Sequence, residues 1–166
     1  MQQEGLICEV GCGKIQTSSN LIAIGIRKMC AITILANTLR LPFRDEYFTL
    51  VNSNYIIEHY SHKDVESLFF GLIRIVQPSG SLKLRRPDLH VKALTFFLMP
   101  DWKSKIDFNG EQEYQDYFTI SVYSCGAMKK LLERAGLLHS MKIYNDFLRN
   151  IFSIIRFAIG VREENV

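Results

Sequence analysis

Leu6-Ile7-Cys8-Glu9-Val10-Gly11-Cys12-Gly13 is the stretch that decides the fold. Two glycines one residue apart close a short apolar run. Glycine takes left-handed backbone dihedrals without a steric penalty, so a strand ending this way can turn sharply and bring its backbone close to a ligand. Many strands end in Gly-x-Gly, and alone the turn decides little. Its weight comes from three motifs downstream, in order: Leu41-Pro42-Phe43, Ile57-Glu58-His59-Tyr60 and Val76-Gln77-Pro78-Ser79-Gly80.

Working outward, residues 6–10 read as a buried strand. Residues 21–26 read as a second one, apolar on both faces, the pattern of a parallel strand covered by helices. Residues 32–35 make a brief third and 47–53 a fourth that turns polar at its end. Between them, residues 39–46 form a loop in which Pro42 ends regular structure. Residues 62–76 carry one apolar stripe: Val65, Leu68, Phe69, Leu72, Ile73 and Val76 at three- and four-residue steps. Ser61 with Asp64 resembles a capping box at the start of that helix, and Pro78-Ser79-Gly80 is expected to stop it and turn the chain.

Residues 81–85 alternate as a fifth strand, and a helix is expected after Asp88. Residues 100–118 are polar, aromatic and irregular, and read as an inserted loop or lid carrying Tyr114, Tyr117 and Phe118. Ser124 opens a further helix through Met128, Leu131, Leu132 and Ala135, closed by Gly136. Residues 137–144 read as a strand. Residues 147–161 fit a strand or an amphipathic helix, with the balance towards a strand. Strands alternating with helices predict one α/β domain over 1–166: a Rossmann-like, doubly wound, mostly parallel sheet with room for an antiparallel C-terminal strand. Ligands bind such sheets at the carboxyl ends of the strands. The Gly11-Cys12-Gly13 turn, Gly25, Asn37 and Ser53-Asn54 all fall there.

The bulk numbers narrow the function. Apolar residues are 48% and charged residues 22% of the 166, as in a globular domain. A net charge of +3 without a basic tract gives no strong nucleic-acid signal. No apolar run reaches the ~20 residues of a membrane span, and the first residues are not those of a cleavable leader. Cys8, Cys12, Cys30 and Cys125 show neither a CxxC pair nor a disulfide framework, so they are expected to be reduced, as in the cytoplasm. His59 and His62 lack a third partner for a metal.

With four motifs in order, the chain resembles the class I S-adenosylmethionine-dependent methyltransferases, in a short, methyltransferase-domain type 11-like variety. The resemblance covers residues 6–90 well and 124–144 more loosely. It implies S-adenosylmethionine as cofactor, a small-molecule, sugar or cell-envelope precursor as methyl acceptor, and cofactor contacts from Glu9, Gly11, Cys12, Gly13, Gly25, Asn37, Thr38 and Asn54. His59, whose reference pKa lies near working pH, is the candidate general base; a structural histidine beside the site is the competing reading.

The departures matter. The family's third loop glycine is Ile15 here. The strand-end acid that holds the ribose hydroxyls is Gly25, followed by Ile26, Arg27 and Lys28. A charge-assisted hydrogen bond contributes ~1.5–3 kcal/mol, so that loss costs about ten- to a hundredfold in affinity. The acid that meets the adenine amine is Asn37, whose amide oxygen can still accept. Only about seven residues separate Gly13 from the second strand, fewer than a crossover helix needs. These losses leave a degenerate, non-catalytic binding partner or scaffold as the alternative. A nicotinamide enzyme fits poorly, because Gln16 stands where G-x-G-x-x-G needs glycine.

Overall fold

The computed structural model describes residues 5–11, 20–28, 32–98, 119–135, 141–145 and 154–160. Strand β1 (Ile7–Val10) runs parallel to β2 (Leu21–Gly25) on one side and to β4 (Phe48–Asn54) on the other. The two-residue β3 (Ile34–Leu35) lies outside β2, and β5 (Val76–Pro87) outside β4, all parallel. Beyond β5 come β7 (Ile154–Gly160) and β6 (Met141–Asn145), giving the order β3-β2-β1-β4-β5-β7-β6. Strand β7 is antiparallel to both neighbours, with Ser81 opposite Gly160 and Pro87 opposite Ile154. The expected Rossmann-like, mostly parallel sheet is the one found. Residues 154–160 of the ambiguous C-terminal stretch form its antiparallel strand.

Alternation along the strands divides the two faces. Cys8, Val10, Ile24, Val51, Leu82 and Leu84 are buried on one face and share a core with Val65, Leu68, Phe69 and Leu72 of helix α1 (His62–Arg74). Met128 and Leu132 of helix α3 (Cys125–Arg134) join the same core. Both helices begin on the capping residue read from sequence. Ser61 accepts from the Asp64 amide and donates to its carboxylate at 2.6 Å; Ser124 accepts from the Ala127 amide at 3.2 Å. Helix α2 (Leu89–Leu98) follows Asp88 as expected.

The end of α1 corrects the sequence reading. The helix stops at Arg74, before Val76, and Pro78-Ser79-Gly80 lies inside β5 rather than between elements. The register explains how. Val76 pairs with Phe48, then Ser81 with Leu50, so the chain from Gln77 to Gly80 bulges out of the ladder where Pro78 needs no donor. Arg74 supplies the stop. Its guanidinium donates to the carbonyls of Phe43 at 2.7 Å and Leu41 at 3.0 Å, and pairs with Asp45 at 2.7 Å. The backbone amides of Glu46, Tyr47 and Phe48 in turn donate to the carbonyls of Arg74 and Ile75 at 2.9 Å.

The expected lid over 100–118 lies outside the described residues, as do Cys12, Gly13, Cys30 and Gly136.

Candidate functional site

The chain leaves β1 for β2 and β3 on one side, then returns to β4 on the other. That reversal opens a crevice between the carboxyl ends of β1 and β4, where open α/β sheets take their ligands. Register sets the floor of the crevice. Val10 lies level with Ile24 and Ser53, so the next residues, Gly25, Gly11 and Asn54, form one row, and Arg85 of β5 continues it opposite Asn54. One step back on the same face stand Ala23, Glu9, Asn52 and Lys83. Two glycines, two asparagines, an acid and an arginine thus gather where the other face is wholly apolar except for Ser53.

Glu9 is the electrostatic centre. It is buried and accepts a hydrogen bond from the Asn54 amide. Burial raises the carboxyl's pKa above the ordinary 4.5, against the opposing hydrogen bonds of Asn52 and Asn54 and the charge of Arg85. An acid held this way offers a cation a partner without water between them.

Gly11 has φ +73°, and its amide donates to the Ile24 carbonyl at 3.0 Å. A Cβ there would land inside the Ile56 side chain and 3.4 Å from the Asn54 carbonyl oxygen. Glycine is therefore required by a protein contact as well as by the turn. At Gly25 an added Cβ would meet Ile32 Cδ1 at 2.6 Å, the far end of a side chain that can rotate away.

Asn37 and Thr38, in the loop that follows β3, both have protein partners. The Asn37 amide oxygen accepts from the Leu39 amide at 2.9 Å, a local turn cap, while the side chain stays exposed. Thr38 is buried, its hydroxyl hydrogen-bonded to that of Tyr60. The asparagine that caps its turn keeps a second lone pair and an NH2 for a ligand; the threonine has its hydroxyl turned to Tyr60.

His59 ends the short 3₁₀ turn Ile57–His59, half-buried, with its amide donating to the Ile56 carbonyl at 2.9 Å. The turn is pinned from the far side. The Ile120 and Ser121 amides donate to the Glu58 carbonyl at 2.7 and 3.0 Å. Arg86, 2% exposed, donates to the Tyr123 carbonyl and lies 4.0 Å from Asp88. Burial lowers the Arg86 pKa, with Asp88, Cys125, Glu58 and Tyr123 acting against it; a guanidinium keeps its proton regardless.

Sequence reasoning missed three residues here. Asn52 and Arg85 declare themselves only through register. Tyr55, with φ +53°, is 40% exposed and turns the chain out of β4, its amide donating to the Arg85 carbonyl at 2.8 Å. A tyrosine in left-handed backbone leaves no mark in the sequence.

A family model described as a methyltransferase domain matches residues 8–84, the stretch that builds this crevice. No curated protein matches the chain. Among solved structures, a S-adenosylmethionine-dependent methyltransferase from Methanosarcina mazei is similar at 15% identity and TM-score 0.66, covering 98% of this chain and 95% of that one. A S-adenosylmethionine-dependent methyltransferase from Thermotoga maritima, described as a possible histamine N-methyltransferase, gives 17% identity and TM-score 0.64 over 95% and 82% of the two chains. The 1,6-didemethyltoxoflavin-N1-methyltransferase of Burkholderia thailandensis, with bound 1,6-didemethyltoxoflavin and S-adenosylhomocysteine, gives 6% identity and TM-score 0.65 over 96% and 72%. Identities this low speak for the fold; the domain match spans the glycine turn, the crevice and most of β5. The chain has the fold of the S-adenosylmethionine-dependent methyltransferases, and its residues 8–84 are similar to a methyltransferase domain.

Proposed function

We propose that this chain transfers a methyl group from S-adenosylmethionine to a small-molecule acceptor, with Glu9, Gly11, Cys12, Gly13, Gly25, Asn37, Thr38 and Asn54 as the cofactor-facing residues. The observation that carries the reading is the pair of buried Glu9 and half-buried Asn54 beside two level glycines at the β1/β4 crevice.

The residues fit the cofactor unevenly. A buried acid flanked by amides suits the cationic amino-acid end of the molecule, whose charge would offset the burial of the carboxylate. The glycine row leaves backbone within reach of it. At the ribose end the fit is poorer, because Gly25 offers no carboxylate. When bound, the cofactor supplies a methyl on a sulfonium, open to direct displacement. The protein's own residues then hold and align. Glu9 and Asn54 fix one end, the loop at Asn37 borders the other, and Tyr55 stands at the mouth.

His59, on its pinned turn, is the residue we assign to take a proton from an oxygen acceptor; a nitrogen acceptor that attacks as the free base needs less help. A neighbouring fold that binds a small heterocycle beside S-adenosylhomocysteine supports an acceptor of similar size. Sugars and cell-envelope precursors are the classes we favour. Cys8 and Cys125, buried and half-buried thiols outside any disulfide, support a reducing compartment, the cytoplasm.

Titration calorimetry with S-adenosylhomocysteine tests the reading. Binding on the order of micromolar, weakened about tenfold or more by Asn54→Ala, is expected. No heat at high ligand concentration moves the chain to the scaffold alternative. With an active acceptor in hand, His59→Ala is expected to lower kcat by ~10²–10⁴ for an oxygen nucleophile and far less for a nitrogen one.

A further inference from the structure

Helix α2 departs from the usual economy of a surface helix. In Leu89-His90-Val91-Lys92-Ala93-Leu94-Thr95-Phe96-Phe97-Leu98 the only ionisable residues are His90 and Lys92, and there is no acid. Its last turn is open to solvent: Leu94 is 51%, Phe96 40%, Phe97 81% and Leu98 66% exposed. Leu94, Phe97 and Leu98 stand at i, i+3 and i+4 and share one face. Ala93, also exposed, and Phe96 extend the apolar arc past half of the circumference, at about 100° per residue.

We infer that the C-terminal turn of α2 seats the protein on an anionic lipid bilayer. Three observations choose this occupant over a second copy or another protein. First, these side chains expose on the order of 400 Å² together, about half of the ~800 Å² per partner that a stable dimer buries. Second, an apolar arc this wide cannot be covered by one flat partner, whereas a fluid apolar medium closes round it. Residues 94–98 span about 7 Å along the axis, within the ~5–10 Å to which interfacial helices bury. Third, the charge agrees. A helix with no carboxylate, on a chain of net charge +3, is drawn to anionic headgroups. At ten residues α2 is far too short to cross a bilayer, and no helix among the described residues is long and apolar enough to do so.

The place of the helix gives the seat a purpose. It begins two residues after β5 ends, at the same carboxyl edge as Gly11 and Asn54, with the Leu89 amide donating to the Tyr123 carbonyl at 3.2 Å. Seating α2 brings that edge to the headgroup layer, where an amphiphilic acceptor presents its polar end. This assignment of acceptor class rests on the methyl-transfer reading; the seating itself does not.

Co-sedimentation of the full chain with vesicles tests it without any turnover. Vesicles of phosphatidylcholine mixed with phosphatidylglycerol are expected to pull the protein down, and pure phosphatidylcholine to do so several-fold less. Phe97→Glu or Leu98→Glu, at solvent-exposed positions that leave far-ultraviolet circular dichroism unchanged, should weaken binding about tenfold or more. Phe70→Glu, another exposed apolar site, on α1 at 57%, should leave it within about twofold. The inference is overturned by any of four results. These are no sedimentation with either vesicle, equal binding to both, equal loss in Phe70→Glu, or a wild-type dimer in light scattering that Phe97→Glu dissolves. Vesicle binding without heat from S-adenosylhomocysteine would keep the seat and remove the enzyme.

Discussion

Replacing Gly11 with alanine is the sharpest test of the crevice. The residue sits at φ +73°, where a side chain costs about 1–2 kcal/mol. The new methyl group also lands inside Ile56, which is 8% exposed and has little room to retreat. Forcing an extra carbon into such a site costs about 1–3 kcal/mol. The two contributions together predict a loss of ~2–5 kcal/mol, against ~5–15 kcal/mol for a whole domain. Urea denaturation followed by circular dichroism measures the loss. The steric share is separable: in the Ile56→Ala background the methyl group fills vacated space, so Gly11→Ala should cost at least ~1 kcal/mol less there. If Gly11→Ala costs under ~0.5 kcal/mol and the double mutant shows no coupling, the left-handed turn packed under Ile56 is wrong. The glycine row that depends on it would then fail as the cofactor floor.

The same geometry sets the outcome of other perturbations. Glu9 has a raised folded-state pKa, so the folded chain holds its proton to higher pH than the unfolded chain. Its contribution to stability is therefore largest below pH 4.5 and declines as pH rises through the raised value. Glu9→Gln, which can still accept from Asn54, should remove that slope and equal or exceed wild-type stability at pH 7 in urea titrations, while weakening S-adenosylhomocysteine in calorimetry. Gly25→Asp should tighten S-adenosylhomocysteine about tenfold if the absent ribose acid is the defect, since only the Ile32 tip must move; weaker binding counts against the placement of β2. Arg86→Met should cost about 3–5 kcal/mol in chemical denaturation, because Asp88 is left buried beside no guanidinium and the Tyr123 carbonyl keeps only the Leu89 amide of its two donors. Ser61→Ala should cost ~0.5–2 kcal/mol by the same measurement, the worth of an N-cap.

Much of the sheet could be read from the chain because its strands bury both faces or one, and hydrophobic runs record that directly. Strands β1, β2 and β4 fell within a residue or two of their expected ends. Helices α1 and α3 were legible because each pairs an apolar stripe with a serine cap. What escaped is what distant residues decide. The end of α1 depends on Arg74 reaching Leu41, Phe43 and Asp45, some thirty positions away in sequence. Pro78-Ser79-Gly80 carries turn residues, yet a bulge absorbs them without leaving the strand. At the site, Gly11 and Asn54 were legible from motif order. The Glu9–Asn52–Asn54–Arg85 grouping was not, because it exists only in the register between three strands. The capping oxygen of Asn37 shows why a motif residue can serve its own loop as readily as a ligand.

The clasp at Arg74 binds two parts of the chain into one melting unit. Its guanidinium carries the 41–45 loop, and the carbonyls of Arg74 and Ile75 receive the amides of Glu46, Tyr47 and Phe48. Deuterium can reach those three amides only when the closing turn of α1 lets go. Their protection should therefore match that of a buried helix, although Glu46 lies in a surface loop. A stretch at the sheet's amino edge, opposite the crevice, thus inherits the rigidity of the core through the end of one helix.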